Sequence, residues 1–153
     1  MNLMSKLIVL DSGPLGLLSH PNDSLPLVQS AQAWMHQHHQ QGDVFIISEI
    51  TDYEVRRELL RADRFKGLHR LDLLQTRLSY LPLNTTAMLR AAQLWAQARK
   101  HGYPTASDAA LDCDVILAAQ TALLREEGSD AIVATTNPKH HSLFVPAADW
   151  QSL

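Results

Sequence analysis

The sequence is poor in cysteine and has no long apolar segment. Cys113 is the one cysteine among 153 residues, so no internal disulfide can form. No apolar run approaches the roughly 20 residues that a membrane-spanning helix needs, so we expect no membrane association. Residues 1–6 lack the apolar segment and the small-residue cleavage site of a secretory signal. From these absences we expect a cytoplasmic protein.

Glycine-rich loops and an overall positive charge are also missing. No glycine-rich phosphate loop precedes a predicted helix, which excludes the common nucleotide-binding motifs. The net charge is −3 at pH 7, so the molecule as a whole does not resemble a polyanion-binding protein. The basic residues are unevenly distributed, however, since seven of the 13 Lys and Arg are Arg56, Arg57, Arg61, Arg64, Lys66, Arg70 and Arg77. This local excess is typical either of a surface that follows a phosphate backbone or of a solvated helix face.

Short apolar runs alternate with segments of helical periodicity. Strands are predicted at residues 7–10, “DVFIIS”, “YLPL” and “DAIVATTN”. Helices are predicted at residues 25–41, “YEVRRELLRA”, “GLHRLDLLQTRLS”, “TTAMLRAAQLWAQARKHG” and “LDCDVILAAQTALLREEG”. Strands separated by helices favour a three-layer α/β/α fold with a central parallel sheet. The length is that of one ordinary domain, so we expect a single domain over residues 1–153.

Details of these elements follow from local signals. Thr51 or Asp52 is expected to cap the helix after the second strand. Phe144 and Val145 are expected to add a pairing at the edge of the sheet. The histidines of “HQHH” at positions 36–39 do not repeat at the spacing of zinc ligands on one helix face, so we interpret this stretch as a polar helix end.

Acidic residues stand near the ends of the predicted strands and the starts of the next helices. They are Asp11 after the first strand, Glu49 and Glu54 after the second, and Asp108, Asp112 and Asp114 ahead of the buried helix. Right-handed crossovers place the carboxyl ends of parallel strands along one edge. Carboxylates gathered there repel one another unless a divalent cation such as Mg²⁺ neutralises them. Such a site suits phosphodiester hydrolysis. The alternative is that each acid only interacts favourably with a helix N-terminus.

Four motifs follow one another along almost the whole chain. They read “LIVLDSGPLGLL”, “IISEITDYEVRREL”, “DCDVILAAQTALL” and “IVATTNPKHH”. In this order they resemble the PIN-domain family, and especially the VapC-type ribonuclease toxins of toxin/antitoxin modules and their stand-alone relatives. The resemblance implies a PIN-like fold and a metal-dependent endoribonuclease that cleaves single-stranded or structured RNA with Mg²⁺ or Mn²⁺. It also implies a homodimer and, if the chain belongs to a toxin module, a small antitoxin protein as partner.

The resemblance also assigns roles to individual residues. Asp11, Glu54 and Asp114 match the metal-binding acids of the family, and the motif pattern selects Glu54 over Glu49. Asp112 would point away from Asp114 in a regular helix, but it joins the metal ligands if the helix begins only at Asp114. The further candidate catalytic residues are Thr135 and Asn137, which would orient a water or a phosphate oxygen. The candidate substrate-binding residues are Ser12, Arg56, Arg57, Arg61, Lys66 and His140.

The fourth motif departs from the family pattern. Three residues past Asn137 the family often has an aspartate, and this chain has His140. A histidine can bind Mn²⁺ or form a hydrogen bond with a metal-bound water, but it removes one negative charge from the site. The alternative function is therefore a catalytically inactive PIN-fold module that binds nucleic acid or protein.

Overall fold

The strands of the computed structural model, which describes residues 5–102 and 107–153, form one parallel sheet. They are β1 (Lys6–Leu10), β2 (Val44–Ser48), β3 (Ser79–Leu81), β4 (Asp130–Thr135) and β5 (Ala147–Asp149). Their order is β3-β2-β1-β4-β5, and every neighbouring pair is parallel. Residues 1–4, most of the segment in which a secretory signal was sought, lie outside the described residues.

Helices flank this sheet and complete the predicted α/β fold, which is confirmed. They are α1 (Ser12–Ser19), α2 (Pro26–Gln40), α3 (Glu49–Arg61), α4 (Phe65–Arg77), α5 (Thr85–Lys100), α6 (Asp108–Glu126) and α7 (Pro138–His141), followed by a 3₁₀ turn at Trp150–Ser152. Within the described part of the chain, none of these helices has the length and apolar character required to cross a membrane.

Side chains alternate along the strands and divide the core between the two faces of the sheet. Ile8 and Leu10 of β1 pack in the cluster that also contains buried residues of α1, α2 and α4. Val9 points to the other face and packs in the cluster formed with α6. On that second face, α5 packs against α6 through small residues such as Ala91 and Ala98. The result is two helical layers with the sheet between them.

The strand order reverses next to β1. The chain runs from β1 to β2 and β3 on one side, and then returns to place β4 on the other side of β1. In open α/β sheets, ligands bind in the crevice outside the carboxyl ends of the strands at such a reversal. The two strand ends are held together here, because the backbone N–H of Asp11 donates to the carbonyl of Ala134 at 3.0 Å. The fold therefore places Asp11 at the expected position of a site.

Three local predictions are wrong. Helix α3 begins at Glu49, directly after β2, so Thr51 and Asp52 lie inside the helix and do not cap it. Helix α6 begins at Asp108, where the side chain of its N-cap residue Ser107 accepts a hydrogen bond, three residues before the predicted start at Leu111, so the condition that would make Asp112 a ligand, a start at Asp114, is not met. The edge strand is β5, and Phe144 and Val145 lie before it. For α6 the overlooked signal is local, because Ser107 is a typical N-cap residue.

Candidate active site

Three carboxylates converge beyond the carboxyl ends of the central strands. Asp11 follows β1 directly, Glu54 lies in the second turn of α3, and Asp114 lies in the second turn of α6. Burial raises the pKa of Glu54, and the charges of Asp11 and Asp114 raise it further. The pKa of Asp114 is also raised, chiefly by burial and in part by Asp11, despite the attraction of two neighbouring histidines. The fold thus brings together the three acids that the sequence selected and leaves excess negative charge there.

Asp11 is buried, and both of its side-chain donors bind the same oxygen. The hydroxyl of Thr135 donates to Oδ2 at 2.7 Å, and Nε2–H of His141 donates to the same atom at 2.9 Å. Burial alone would raise the pKa of Asp11, but the bond and charge of His141 and the bond from Thr135 outweigh it and lower this pKa. The side chain forms no capping hydrogen bond with α1, so Asp11 faces the site and does not serve as a helix cap.

Two consecutive histidines of α7 contact the acids. His140 Nε2 lies 2.7 Å from Asp114 Oδ2. His141 Nε2, besides its bond to Asp11, lies 3.7 Å from Asp114 Oδ1. His141 is 2% exposed, and its Nδ1 has no hydrogen-bond partner among the residues that the structure describes. Burial opposes protonation of His141, but the hydrogen bond from this ring to Asp11 and the charges of Asp11, Asp114 and Glu54 raise its pKa.

Sequence reasoning found His140 but missed His141. The one signal for His141 was its place beside His140 in the turn after β4. Nothing in that stretch indicates which of two adjacent histidines turns into the core. The choice depends on the orientation of α7, which packs on β4 and β5.

Cys113 lies next to the acids on the buried side of α6. Its thiol lies near the Glu54 carboxylate and partly offsets the rise in the pKa of Glu54. Burial and the nearby charge of Glu54 raise the pKa of Cys113 to about 11, so the thiol stays protonated at neutral pH. Cys113 therefore packs, as expected of a buried cysteine, and does not act as a nucleophile.

Three predicted catalytic residues are placed differently from the central acids. Asp112 is exposed and lies two residues before Asp114 in a continuous helix, about 200° around the axis. Thr135 is fully buried and binds Asp11 instead of facing outward. Asn137 is exposed, and its backbone N–H donates to the Thr135 hydroxyl at 3.0 Å. Asp112 is thus not brought to the site. Thr135 binds the carboxylate of Asp11, and the backbone of Asn137 binds Thr135.

An open groove of about 980 Å³ runs from Ser12 and Glu54 along α1, α3 and the start of α4. Ser12 and Glu54 lie at its inner end, next to the acid cluster. The predicted substrate-binding residues Arg57, Arg61 and Lys66 line its outer part. All three are exposed.

Arg56 does not line the groove. Its guanidinium donates to Asp52 at 2.8 Å and to Asp72 at 2.7 Å, which raises the pKa of Arg56. These bonds hold Arg56 between α3 and α4. Glu49, the acid that the motif pattern rejected, likewise has a structural role, because its carboxylate accepts hydrogen bonds from the Tyr80 hydroxyl and the Leu83 N–H.

The donor set suits a hard divalent ion, although it is not arranged as a finished coordination shell. Within residues 5–102 and 107–153, no three His, Cys, Asp or Glu side chains are already posed around a common metal position. Three carboxylates with adjacent imidazoles are nevertheless donors that Mg²⁺ and Mn²⁺ accept. The raised pKa values of Glu54 and Asp114 indicate that a cation would relieve repulsion there. In charge and donor type, the residues fit such an ion.

Comparison with known proteins yields structural matches only. No family model and no curated protein matches the sequence. The VapBC2 complex of Rickettsia felis bound to a promoter DNA fragment contains a chain with 13% identity and a TM-score of 0.67, covering 94% of this chain and 98% of that one. VapBC-1 of nontypeable Haemophilus influenzae matches with 19% identity, a TM-score of 0.65 and the same coverage. FitAcB of Neisseria gonorrhoeae matches with 20% identity and a TM-score of 0.66, covering 95% and 99%.

These matches extend over nearly the full length of both chains. The VapBC and FitAcB structures are toxin/antitoxin structures, and at these identities the likeness concerns the fold. Together with the parallel sheet and the acids at its carboxyl edge, it confirms the resemblance stated from the motifs: the chain has the fold of the VapC-type PIN-domain proteins.

Proposed function

We propose that this chain is a metal-dependent endoribonuclease that hydrolyses phosphodiester bonds in single-stranded or structured RNA. The observation that carries the proposal is the convergence of Asp11, Glu54 and Asp114 beside a groove that Glu54 lines together with basic side chains. Gathering three carboxylates costs free energy in the absence of a cation. The fold shared with toxin/antitoxin structures supports the same function.

The acids would hold Mg²⁺ or Mn²⁺, and other residues orient them. When bound, such an ion supplies positive charge that stabilises the negative charge developing on the phosphate and assists ionisation of the attacking water. Thr135 and His141 fix the orientation of Asp11 through its Oδ2. Outer hydrogen-bond partners of this kind typically change metal affinity or activity 10- to 100-fold.

The groove would hold the RNA. Arg57, Arg61 and Lys66 would contact successive phosphates, and Ser12 would lie nearest to the scissile one. Arg61 already pairs with Glu58 at 2.9 Å, an exposed contact that costs little to exchange for a phosphate. Phe65, which is 68% exposed beside the groove, offers a ring on which a base can stack.

Protein partners are part of the proposal. The structural matches are complexes, which supports a small antitoxin that binds this chain and covers the groove. A homodimer would bury exposed apolar side chains of α5, where Leu89 is 65% and Met88 44% exposed. The antitoxin is proposed because of the shared fold, and the homodimer is proposed because of the exposed apolar side chains of α5.

A catalytically inactive binding module is the second candidate. It is favoured by one observation: His140 and His141 contact the carboxylates of Asp114 and Asp11, where a cation would otherwise bind. In that case the same groove would bind nucleic acid or protein without turnover.

Cleavage of labelled single-stranded RNA tests the proposal. The wild type, Asp11→Asn and Glu127→Gln are assayed with Mn²⁺, with Mg²⁺ and with EDTA. Glu127 is an exposed acid at the end of α6, about 20 Å along that helix from Asp114, and serves as the matched control.

We expect cleavage by the wild type and by Glu127→Gln that requires metal, and none by Asp11→Asn. Mn²⁺ should also raise the melting temperature of the wild type, because a ligand that binds only the native state stabilises it. A folded wild type, free of bound inhibitor, that neither cleaves RNA nor is stabilised by Mn²⁺ would support the binding module instead.

A further inference from the structure

At the candidate site, the protein's own donors already occupy one oxygen of two carboxylates. Oδ2 of Asp11 accepts from Thr135 and His141, and Oδ2 of Asp114 lies 2.7 Å from His140 Nε2. These contacts connect both Asp11 and Asp114 to α7, which is a single turn of helix. An ion at Oδ2 of Asp11 would have to displace one of its two donors, and an ion at Oδ2 of Asp114 would have to fit beside the His140 ring.

The histidines are held firmly in place. The carbonyl of His141 accepts the backbone N–H groups of Phe144 at 3.0 Å and Val145 at 3.2 Å, which ties α7 to the approach of β5. The His141 side chain is 3% exposed and that of His140 is 19% exposed. The His141 ring is therefore enclosed, whereas the His140 ring keeps partial access to solvent.

Few carboxylate oxygens remain for an ion. Oδ1 of Asp11 receives no side-chain hydrogen bond from the described residues, and Oδ1 of Asp114 is 3.7 Å from His141, beyond hydrogen-bond distance. Glu54 adds its carboxylate, which lies near the thiol of Cys113. One ion that keeps several waters is satisfied by one oxygen from each acid. Two ions about 4 Å apart need more ligand atoms, which carboxylates supply most readily when both of their oxygens are free.

We infer that this site takes one divalent ion per chain, which Asp11, Glu54 and Asp114 would hold, and that His140 excludes a second ion through its contact with Oδ2 of Asp114. His141 holds Oδ2 of Asp11 in the same way. The inference rests on the proposed function, since it concerns the same ion. It makes His140 a residue that sets the stoichiometry of the site.

Binding of Mn²⁺ to the full chain tests the inference without an activity assay. Isothermal titration gives the number of Mn²⁺ ions per chain, and electron paramagnetic resonance distinguishes an isolated Mn²⁺ from a spin-coupled pair. For the wild type we expect one ion per chain with the six-line spectrum of isolated Mn²⁺. Glu127→Gln, the control on the same helix, should give the same result.

His140→Asp is the informative variant. It frees Oδ2 of Asp114 and adds a carboxylate, so the stoichiometry should rise from one toward two and the spectrum should show coupling. His140 is partly exposed, and circular dichroism verifies that the variant folds. His140→Glu serves the same purpose if the shorter side chain disturbs α7.

The possible results distinguish failure of the one-ion inference from failure of the proposed metal-dependent function. Two ions per wild-type chain would overturn the one-ion inference and leave the metal-dependent nuclease standing. One ion in both the wild type and the folded aspartate and glutamate variants would overturn the role given to His140. An absence of Mn²⁺ binding by the wild type would overturn both the inference and the metal-dependent function.

Discussion

Two buried histidine–aspartate pairs lie at opposite ends of the sheet, and they are built differently. Near the amino ends of the strands, His38 Nδ1 lies 2.8 Å from Asp43 Oδ2. Asp43 Oδ1 accepts the backbone N–H of Lys6 at 2.9 Å, and His38 Nε2 lies 3.1 Å from the main-chain oxygen of Leu153. At the carboxyl ends, His141 Nε2 lies 2.9 Å from Asp11, but its Nδ1 has no partner among the described residues.

The difference lies in what surrounds each pair. His38 is packed by aromatic rings, with Trp34 and Phe45 in edge-to-face contact, and every polar atom of its pair has a partner. The pair around His141 faces two further carboxylates whose pKa values are raised. Buried polar groups that are fully satisfied specify a fold, whereas unmatched charge in a cleft is typical of a functional site.

The largest expected effect comes from a substitution that disrupts only the candidate active site at the carboxyl ends of the strands. Glu54→Gln should reduce RNA cleavage by more than the roughly 100-fold that loss of an outer hydrogen-bond partner can cost. The melting temperature in EDTA should stay the same or rise, because the raised pKa of Glu54 means that its charge is disfavoured in the folded protein. Single-turnover cleavage and thermal melting measure the two effects. A variant that melts earlier and still cleaves would make Glu54 a structural residue.

The second prediction concerns a substitution that disrupts only the buried His38–Asp43 pair near the amino ends of the strands. His38→Leu leaves Asp43 buried without its imidazole and should lower the free energy of unfolding by about 3 kcal/mol. Cleavage per folded molecule should not change. Chemical denaturation measures the loss, and His36→Leu on the exposed side of the same helix is the matched control. Equal losses from both substitutions would show that the pair contributes nothing specific.

The third prediction concerns how the stability contributed by His141 and Asp11 depends on pH. The raised pKa of His141 means that its contribution to stability is complete below the usual histidine pKa, about 6.5, and is lost as pH rises through the higher folded value. The lowered pKa of Asp11 means that its contribution is complete above about pH 4 and is lost as pH falls through the folded value. In EDTA, the free energy of unfolding should therefore fall from pH 6 to pH 9.

His141→Gln tests the source of that slope. Glutamine can still donate to Asp11 but does not titrate, so the decline above pH 6 should become shallower. Denaturant titrations at several pH values measure it. An identical slope in the wild type and in His141→Gln would assign the pH dependence to other groups.

The smallest expected effect concerns the acid that lies outside the cluster. Asp112→Asn should change Mn²⁺ affinity and cleavage less than twofold, because Asp112 is exposed on the far side of α6 from Asp114. Titration of Mn²⁺ into Asp112→Asn and Asp114→Asn side by side measures the contrast. Comparable losses in both would show that the start of α6 unwinds when the site is loaded.

The sequence predicted which segments form strands and helices better than it predicted the residues at which they begin and end. Strands β1 to β4 and helices α2 to α6 were predicted because apolar periodicity is a local property, carried by residues two to four positions apart, whereas α1 and β5 were not predicted. The starts of α3 and α6 were predicted too late, at Thr51 or Asp52 instead of Glu49 and at Leu111 instead of Asp108. Asp112 was a candidate ligand only if the helix began at Asp114, and that condition is not met.

By itself, the sequence determined the alternation of strands and helices and the acids that follow them. Only the tertiary structure decided which side chains meet. The bond between Asp11 and His141 joins residues 130 positions apart, and it exists because β4 lies beside β1 and α7 turns back over that edge. The same holds for His38 and Leu153, which are 115 positions apart. Spacing along the chain carries no information about such distances, since the order of strands in the sheet sets them.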